Sequence, residues 1–296
     1  ATNFATSLIG SGVVDVAVAC GVEVMSRVPM GSSLGEGVGK AIPKSYFEKY
    51  EWTTQFEGAE RIAEKWGITR DETDALGLLS QQRAAQAWAE DRFSTQIVEV
   101  DAPDLGEDGK PTGTTHRVAK DEGLRETTLE ALSQLKPVAR EDGVHTAGTS
   151  SQIADGAAAV LLATREKAEA LGLTPRARVV DTCLVGSDPI LMLTGPIDAT
   201  HHLLERNSMT MDDIDLVEIN EAFASVVLAW QKETGADMAK VNPNGGAIGM
   251  GHPLGGTGAI LTTKAVHELE RSDLGTALVT MCCGGGLATG TLLERI

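Results

Sequence analysis

Apolar and polar positions change their periodicity along the chain, and from Asp155 onward two patterns alternate. Short apolar runs rich in Val, Leu and Ala predict strands at residues 157–163, 177–185, 216–219, 276–282 and 290–294. Segments with apolar residues at helical spacing lie between them and predict helices at residues 165–171, 198–207, 221–234 and 257–271. Strands that alternate with helices indicate layered α/β packing.

The beginning of the chain shows the same order of elements. Residues 1–12 predict a helix, and the β-branched run at residues 13–20, apolar on both faces, predicts a buried parallel strand. The order of helix, turn and strand repeats that of residues 257–282, which indicates a faint internal duplication. Because the later copy has a glycine-rich loop before its helix, a true duplicate would have a functional loop just upstream of Ala1.

Residues 28–144 have a different character and are typical of a long insertion. They contain more proline, more charge and most of the aromatic residues of the chain. Apolar residues at helical spacing predict helices at residues 58–66 and 71–91, the second after Thr69. The glycine-rich residues 106–113 predict a hairpin tip or an exposed loop.

Composition and charge narrow the class of protein. The chain has 296 residues, 42% hydrophobic and 23% charged, which is typical of a globular protein and would ordinarily hold two domains. Its formal net charge of -17 argues against nucleic acid and anionic membrane surfaces as partners. An anionic ligand would need local help from Arg, Lys or a helix N-terminus. The four cysteines lack the spacing of a metal site, so we expect reduced thiols and a cytoplasmic location. No apolar run is long enough to span a bilayer, and we expect no signal peptide.

Two reactive side chains lie beside glycines near the carboxyl end. His252 precedes a proline in a glycine-rich loop, and Cys282 ends a predicted strand before three glycines at 284–286. The imidazole could be a base towards a thiol or hydroxyl, or a loop histidine with a satisfied hydrogen bond. The thiol could move protons, or be a small buried hydrophobe. Strand alternation points Cys283 to the opposite side, where it would pack.

Further polar residues have weaker signals. Asn220 could orient a water or donate to a carbonyl, or it could cap the following helix. The small hydroxyl residues at 145–155 could form hydrogen bonds with an amide-bearing arm of a ligand, but without further context they favour a turn. The spacing of the glycines around His252 does not match a dinucleotide fingerprint, which disfavours a nicotinamide oxidoreductase. We expect the other histidines at the surface and two cysteines in the core: His116, His201, His202 and His267, and Cys20 and Cys183.

Several segments, in order along the whole chain, resemble the thiolase family of acetyl-CoA acyltransferases. They are residues 21–26 (Gly-Val-Glu-Val-Met-Ser), 121–125 (Asp-Glu-Gly-Leu-Arg), 146–151 (Thr-Ala-Gly-Thr-Ser-Ser), 220–223 (Asn-Glu-Ala-Phe), 251–253 (Gly-His-Pro) and 282–286 (Cys-Cys-Gly-Gly-Gly). One such segment would be weak support, whereas this many in order are strong. Residues 55–57 and 219–230 are similar to actinobacterial thiolases that degrade fatty acids or steroid side chains.

The resemblance implies an α/β protein with a duplicated αβαβα layered fold, mixed sheets and an inserted loop domain. Residues 1–27 and 145–175 would be the remainder of the N-terminal half, residues 28–144 the loop domain that binds substrate and CoA, and residues 176–296 the C-terminal half. It also implies a homodimer or homotetramer acting on acyl-CoA and CoA. Coenzyme A would be a co-substrate, and no permanently bound cofactor or metal is expected.

The implied activity is thiolytic cleavage of 3-ketoacyl-CoA by CoA to acetyl-CoA and a shortened acyl-CoA. His252 would deprotonate a nucleophilic cysteine, and Cys282 would exchange a proton with the acetyl-CoA carbanion. Asn220 would hold a water that, with His252, stabilises the thioester oxygen, and Gly284 would donate a backbone N–H to the other oxyanion hole. The residues that would bind CoA or substrate are Arg125, Ala147, Ser151 and Phe223.

The chain departs from the family pattern at the nucleophile. The family's nucleophilic cysteine belongs to a segment expected a few residues before Ala1, and no cysteine of this chain matches it. We therefore expect the chain alone not to form an acyl-enzyme. Two alternatives remain open, a biosynthetic acetoacetyl-CoA thiolase and a catalytically inactive subunit that binds acyl-CoA. A second departure is Cys283, where the family more often has a small or branched apolar residue.

Overall fold

The computed structural model describes residues 1–32 and 42–296, and no helix in those two ranges is long and apolar enough to cross a membrane. The described helices are α1 (Thr2–Gly10), α2 (Lys44–Phe47), α3 (Gln55–Trp66), α4 (Arg70–Ala89), α5 (Leu129–Ser133), α6 (Arg165–Ala170), α7 (Gly195–Arg206), α8 (Ala224–Thr234), α9 (Ala247–Met250) and α10 (Thr257–Arg271). The described strands are β1 (Val16–Val24), β2 (Val100–Leu105), β3 (Pro111–Val118), β4 (Asp155–Ala163), β5 (Ala177–Gly186), β6 (Leu216–Ile219), β7 (Thr276–Cys283) and β8 (Leu287–Arg295). Helix α10 and strand β6 have the predicted bounds.

The described strands form sheets that are stacked with helices. β1 and β4 pair antiparallel, β2 and β3 form a hairpin, and a four-stranded mixed sheet has the order β5-β8-β7-β6, in which β6 and β7 run parallel. Helix α10 contacts β1 and β4 as well as β6 and β7, so it lies between two sheets. Helix α7 packs against β5, β7 and β8, and α8 packs against α7. The predicted layered α/β fold with mixed sheets is therefore confirmed.

Apolar side chains cover both faces of the four-stranded sheet. On one face, Leu278 of β7 packs in a cluster with Leu203 of α7 and Trp230 of α8, all fully buried. On the other face, Val279 of β7 packs in a cluster with Leu269 of α10. Burial of each large apolar side chain contributes about 1.5–3 kcal/mol. Successive residues of β7 thus point to two buried faces, which is typical of a strand with a continuous apolar run.

Strand β1 differs from the prediction of a buried parallel strand at residues 13–20. It pairs antiparallel with β4, and its residues alternate in exposure. Ala19 is buried against the helices, whereas Val18 and Val22 are 62% and 64% exposed. Apolar residues on both faces indicated burial on two sides, but within the described residues one face is covered by α1 and α10. Cys20 lies on the exposed face, so the prediction that it belongs to the core is wrong, whereas Cys183 is buried as predicted.

The inserted region contains the predicted hairpin and helices. The turn between β2 and β3 is closed by a hydrogen bond from the Gly106 N–H to the Lys110 carbonyl at 2.9 Å. Thr69 and Glu72 form a capping box at the start of α4, because the Glu72 N–H donates to Thr69 Oγ1 at 3.3 Å and the Thr69 N–H donates to Glu72 Oε2 at 2.7 Å. Helix α4 packs against α8 and α9. Helix α4 of this region therefore supports the glycine-rich loop that contains α9.

Gly21→Ala tests a close approach of β1 to the loop after His252. An added Cβ at Gly21 would lie 1.6 Å from the carbonyl oxygen of Gly255, and this backbone atom can move away only if the loop shifts. We expect the free energy of unfolding to fall by about 1–3 kcal/mol, the usual range for overpacking, when measured by chemical denaturation. Gly10→Ala in α1 is the control, because no atom lies within 4 Å of its added Cβ. Equal stabilities of the two variants would contradict the close approach.

Candidate active site

The carboxyl ends of β6 and β7 form one edge of the four-stranded sheet. Asn220 follows β6 and Cys282 lies near the end of β7, and the two strands are parallel neighbours. The Asn220 N–H donates to the Thr280 carbonyl oxygen at 3.1 Å, which continues the pairing beyond β6. Because the carboxyl ends of parallel strands meet, residues far apart in the chain lie together here.

A cavity of about 1010 Å³ lies at this edge, and its wall contains most of the predicted site residues. His252, Cys282 and Gly284 line it. So do the four candidates for binding CoA or substrate, which are Arg125, Ala147, Ser151 and Phe223. Much of the remaining wall is apolar and includes Met25, Met30, Leu132, Leu135, Val138 and Leu254. The fold therefore brings the imidazole and the thiol into one cavity, and Asn220 contacts His252 beside it.

Glycines shape the loop that leads to His252. Gly251 has a φ of 102°, a conformation that side chains with a Cβ rarely adopt. At Gly246 an added Cβ would lie 2.2 Å from Glu221 Cδ, so this glycine allows the backbone to approach a buried carboxylate. The His252 N–H then donates to the Gln152 carbonyl oxygen at 3.0 Å. These contacts place His252 after a tight turn on a fixed backbone.

The hydrogen bonds of His252 define which ring nitrogen is protonated. Nδ1 lies 2.7 Å from Thr257 Oγ1, and that hydroxyl donates to the Pro253 carbonyl oxygen at 2.9 Å. Since a hydroxyl has one hydrogen, this network assigns the imidazole proton to Nδ1, which donates to Thr257. Nε2 is then an acceptor, and Asn220 Nδ2 donates to it at 3.3 Å.

Burial makes His252 a neutral imidazole. It lowers the pKa of His252 to about 4, because the charged form loses its hydration. A neutral ring with an unprotonated Nε2 can take a proton, and afterwards it can donate that proton to an oxyanion. Asn220 is 1% exposed, and its Oδ1 makes no hydrogen bond within the described part of the chain. The alternative that Asn220 caps the following helix is wrong, because Phe223 is the N-cap residue of α8.

Cys282 is a buried thiol with a strongly raised pKa. Burial is the larger cause and the neighbouring Cys283 the smaller one, and together they raise the pKa of Cys282 to about 12. The group is therefore protonated near neutral pH and is suited to giving a proton to a carbanion. Gly284, two residues further on, has open space around it and exposes its backbone to the same cavity.

Cys283 lies at the cavity, and strand alternation predicts that its thiol points to the side opposite that of Cys282. It is partly buried and lines the same cavity as Cys282. The pleat of β7 ends at Cys283, and the following turn has positive φ values of 88° at Gly285 and 82° at Gly286. Cys283 still pairs with Leu287 of β8, so alternation extends to this residue and the direction of its thiol stays a prediction.

The proposed CoA- and substrate-binding residues come from separate segments. Phe223 is 5% exposed and makes an edge-to-face contact with Phe56, with ring centroids 5.4 Å apart. The N–H of Ser151 donates to the Ala222 carbonyl oxygen at 3.0 Å, which fixes the segment of Ser151 beside that of Phe223. Arg125 is exposed at the cavity, and its Nη1 donates to two nearby carbonyl oxygens.

A buried polar network under the loop of His252 was not predicted. Glu221 accepts hydrogen bonds from Ser80 Oγ at 2.6 Å, Asn242 Nδ2 at 3.0 Å and the Ile248 N–H at 3.1 Å. Ser80 Oγ in turn accepts the N–H of Gly246 at 3.2 Å. The carboxylate therefore holds the loop from below. Glu221 belongs to the Asn-Glu-Ala-Phe segment that resembles the thiolase family, so its importance could have been predicted. Ser80 lies inside a helix, where no local pattern of the sequence predicts this role.

The remaining predicted positions have structural roles or lie at the surface. The residues at 145–151 form the expected hydroxyl-rich turn, in which the Thr146 N–H donates to Thr149 Oγ1 at 2.8 Å. His116, His201 and His202 are exposed, whereas His267 is half-buried. Among residues 1–32 and 42–296, no group of three or more His, Cys, Asp or Glu side chains is arranged to hold a metal ion.

Thr257→Val tests the assigned tautomer of His252. Valine has nearly the shape of threonine but cannot accept the Nδ1–H, so we expect the proton to shift towards Nε2. Nitrogen-15 NMR of labelled imidazole distinguishes the two tautomers. Thr257→Ser keeps the hydroxyl and should keep the proton on Nδ1. An unchanged tautomer in Thr257→Val would show that the hydroxyl does not determine it.

Known proteins are similar to this chain in sequence and in fold. The N-terminal domain model of thiolases matches residues 1–166, and the C-terminal domain model matches residues 173–295. The chain is 46% identical to the steroid 3-ketoacyl-CoA thiolase FadA6 of Mycobacterium tuberculosis over 100% of this chain and 72% of that protein. It is 41% identical to the 3-ketoacyl-CoA thiolase of Bacillus subtilis over 98% of this chain and 74% of that protein. A crystal structure of human mitochondrial 3-ketoacyl-CoA thiolase superposes with a TM-score of 0.87 and 32% identity, covering 100% of this chain and 76% of that one. The chain therefore belongs to the thiolase family.

Proposed function

We propose that the protein cleaves 3-ketoacyl-CoA with free CoA to acetyl-CoA and a shortened acyl-CoA. The observation that carries this proposal is the pairing of an unprotonated Nε2 of His252 with the protonated thiol of Cys282 in one cavity. The reaction needs a base that deprotonates the attacking thiol and an acid that protonates the carbanion, and both must reach the same substrate. The similarity to degradative 3-ketoacyl-CoA thiolases supports the same direction of reaction.

His252 acts first as a base in this proposal. Its Nε2 takes the proton of a nucleophilic cysteine, whose sulfur attacks the 3-keto carbonyl. The new Nε2–H then donates to the negative oxygen, and Asn220 Nδ2 lies 3.3 Å from the same nitrogen. We do not assign the role of nucleophile to any of the four cysteines among the described residues, which are Cys20, Cys183, Cys282 and Cys283.

Cys282 acts as the acid. When the bond between C2 and C3 of the substrate breaks, its electron pair stays on C2 of acetyl-CoA, and the Cys282 thiol protonates that carbon. Incoming CoA loses its thiol proton to Cys282 as it attacks the acyl-enzyme, and the nucleophilic cysteine leaves as a thiolate that takes its proton back from His252 Nε2. The backbone N–H of Gly284 donates to the thioester oxygen of acetyl-CoA while the negative charge is present. A pKa raised to about 12 suits this role, because the thiol enters each cycle protonated.

Coenzyme A contacts a wall of the cavity to which the inserted region and both halves of the chain contribute. Arg125 offers a positive charge to its phosphates, which compensates locally for the net charge of -17. Ala147 and Ser151 contact the pantetheine arm, and Phe223 packs against the thioester end. All four residues line the cavity, which supports one continuous binding site.

The acyl group is apolar and bulky in this proposal. The cavity of about 1010 Å³ has methionine and leucine side chains in its wall, including Met25, Leu132 and Leu254. The similarity to a steroid 3-ketoacyl-CoA thiolase favours a steroid side chain over a short acyl group. A biosynthetic acetoacetyl-CoA thiolase would instead prefer the smallest substrate, and an inactive subunit would bind acyl-CoA without turnover.

We also propose the arrangement of the whole protein. Residues 1–27 and 145–175 form the N-terminal half, residues 28–144 the loop domain and residues 176–296 the C-terminal half, and the pairing of β1 with β4 supports this division. The protein acts in the cytoplasm as a homodimer or homotetramer. Light scattering should give two or four times the mass of one chain, and a monomeric mass would contradict the assembly.

In the complete protein, which includes the nucleophilic cysteine, His252→Ala and Cys282→Ala should each lower the rate of acetyl-CoA formation from 3-ketoacyl-CoA and CoA by at least about a hundredfold, the usual scale for one acid or base. His116→Ala and Cys20→Ala are the matched controls, because both side chains are exposed and away from the cavity. A negligible effect of either test variant would remove that residue from the site. Failure of the unsubstituted protein to turn over 3-ketoacyl-CoA would favour the inactive subunit.

A further inference from the structure

Two glutamines connect the segment of Arg125 with the loop of His252. Gln81 on α4 accepts the Arg125 N–H through Oε1 at 2.9 Å, and its Nε2 donates to the Ile248 carbonyl oxygen at 3.3 Å. Gln152 Nε2 lies 2.7 Å from the same Ile248 oxygen and 2.8 Å from the Gly123 carbonyl oxygen. Each amide therefore contacts both the arginine segment and the histidine loop.

Gln152 also holds the histidine loop through its own backbone. Its N–H donates to the Ala247 carbonyl oxygen at 3.3 Å, and its carbonyl oxygen accepts the His252 N–H at 3.0 Å. Its side-chain Nε2 lies 3.2 Å from a third acceptor, the Gly249 carbonyl oxygen. One residue thus fixes the beginning, the middle and the end of the loop.

The side-chain amide of Gln152 is chemically matched to this position. It presents an NH2 group to three carbonyl oxygens that would otherwise repel one another. The approach to Gly123 is close, since an added Cβ there would lie 2.8 Å from Gln152 Oε1. A change in the path of residues 121–125 must therefore move the amide, and the amide must move the loop of His252.

We propose that Gln152, supported by Gln81, is a positioning residue that couples occupancy of the coenzyme site to the alignment of His252. The proposal rests on the proposed function, because it takes Arg125 as a contact of CoA. CoA bound at Arg125 orders the backbone of residues 123–125, the amides transmit that order to Ile248, and the Nε2 of His252 is held towards the reacting carbon. Gln152 does not contact a reacting atom in this account.

The test is a double-mutant cycle between Gln152→Ala and Arg125→Ala in the complete protein. It measures kcat, KM for CoA, and the dissociation constant of CoA by calorimetry. We expect Gln152→Ala to raise KM and the dissociation constant about tenfold and to lower kcat about tenfold, the scale of one or two lost hydrogen bonds. In the Arg125→Ala background the further change in CoA affinity should be less than about twofold, because the transmitted contact is already absent.

Further variants separate positioning from folding. Gln152→Glu has the same shape but places a carboxylate opposite three carbonyl oxygens. It should lower kcat at least as much as Gln152→Ala, and an unchanged melting temperature would show that the fold is kept. Gln134→Ala, at an exposed site, is the control and should change neither constant. Additive effects of Gln152→Ala and Arg125→Ala on CoA affinity, or a loss of kcat without any change in CoA affinity, would overturn the coupling. Failure of the proposed function is distinguishable, because it would appear as no turnover by the unsubstituted protein or as full activity of His252→Ala and Cys282→Ala.

Discussion

The hydrogen bond between His252 Nδ1 and Thr257 Oγ1 determines what the site can do. Because the threonine hydroxyl gives its own hydrogen to Pro253, the imidazole must give its proton to the threonine, and Nε2 is left as an acceptor. Burial lowers the pKa of the ring to about 4, so the neutral form prevails at neutral pH. The other tautomer would present a donor where a base is needed.

The fold brings two strand ends together next to this imidazole. The parallel pair β6 and β7 places Asn220 and Cys282 at one sheet edge, and the loop of His252 closes over it. That loop contains many glycines and would be flexible alone, so it needs external contacts. Glu221 from the connection after β6, Ser80 from α4 and Gln152 before β4 supply them. The base is therefore positioned by residues that lie far apart in the chain.

Sequence periodicity and short motifs predicted a large part of this arrangement. Helix α10 and strand β6 were predicted with their observed bounds, because their apolar patterns are local and each element packs as its pattern requires. His252, Cys282 and Asn220 were predicted because glycines and strand ends mark them. Residues whose role depends on tertiary contacts gave no local signal, and Thr257 and Gln152 are the clearest cases. The exposure of β1 was mispredicted because the apolar pattern of a strand does not specify which neighbouring elements cover its two faces.

A crystal structure of the protein with acetyl-CoA bound would test the central claim most directly. We expect C2 of the acetyl group to lie within about 3.5 Å of Cys282 Sγ, a distance suited to reaction. We also expect the imidazole to face the acyl end through Nε2 while Nδ1 stays bonded to Thr257. An acetyl group bound away from Cys282, or an imidazole turned so that Nδ1 faces the cavity, would contradict it.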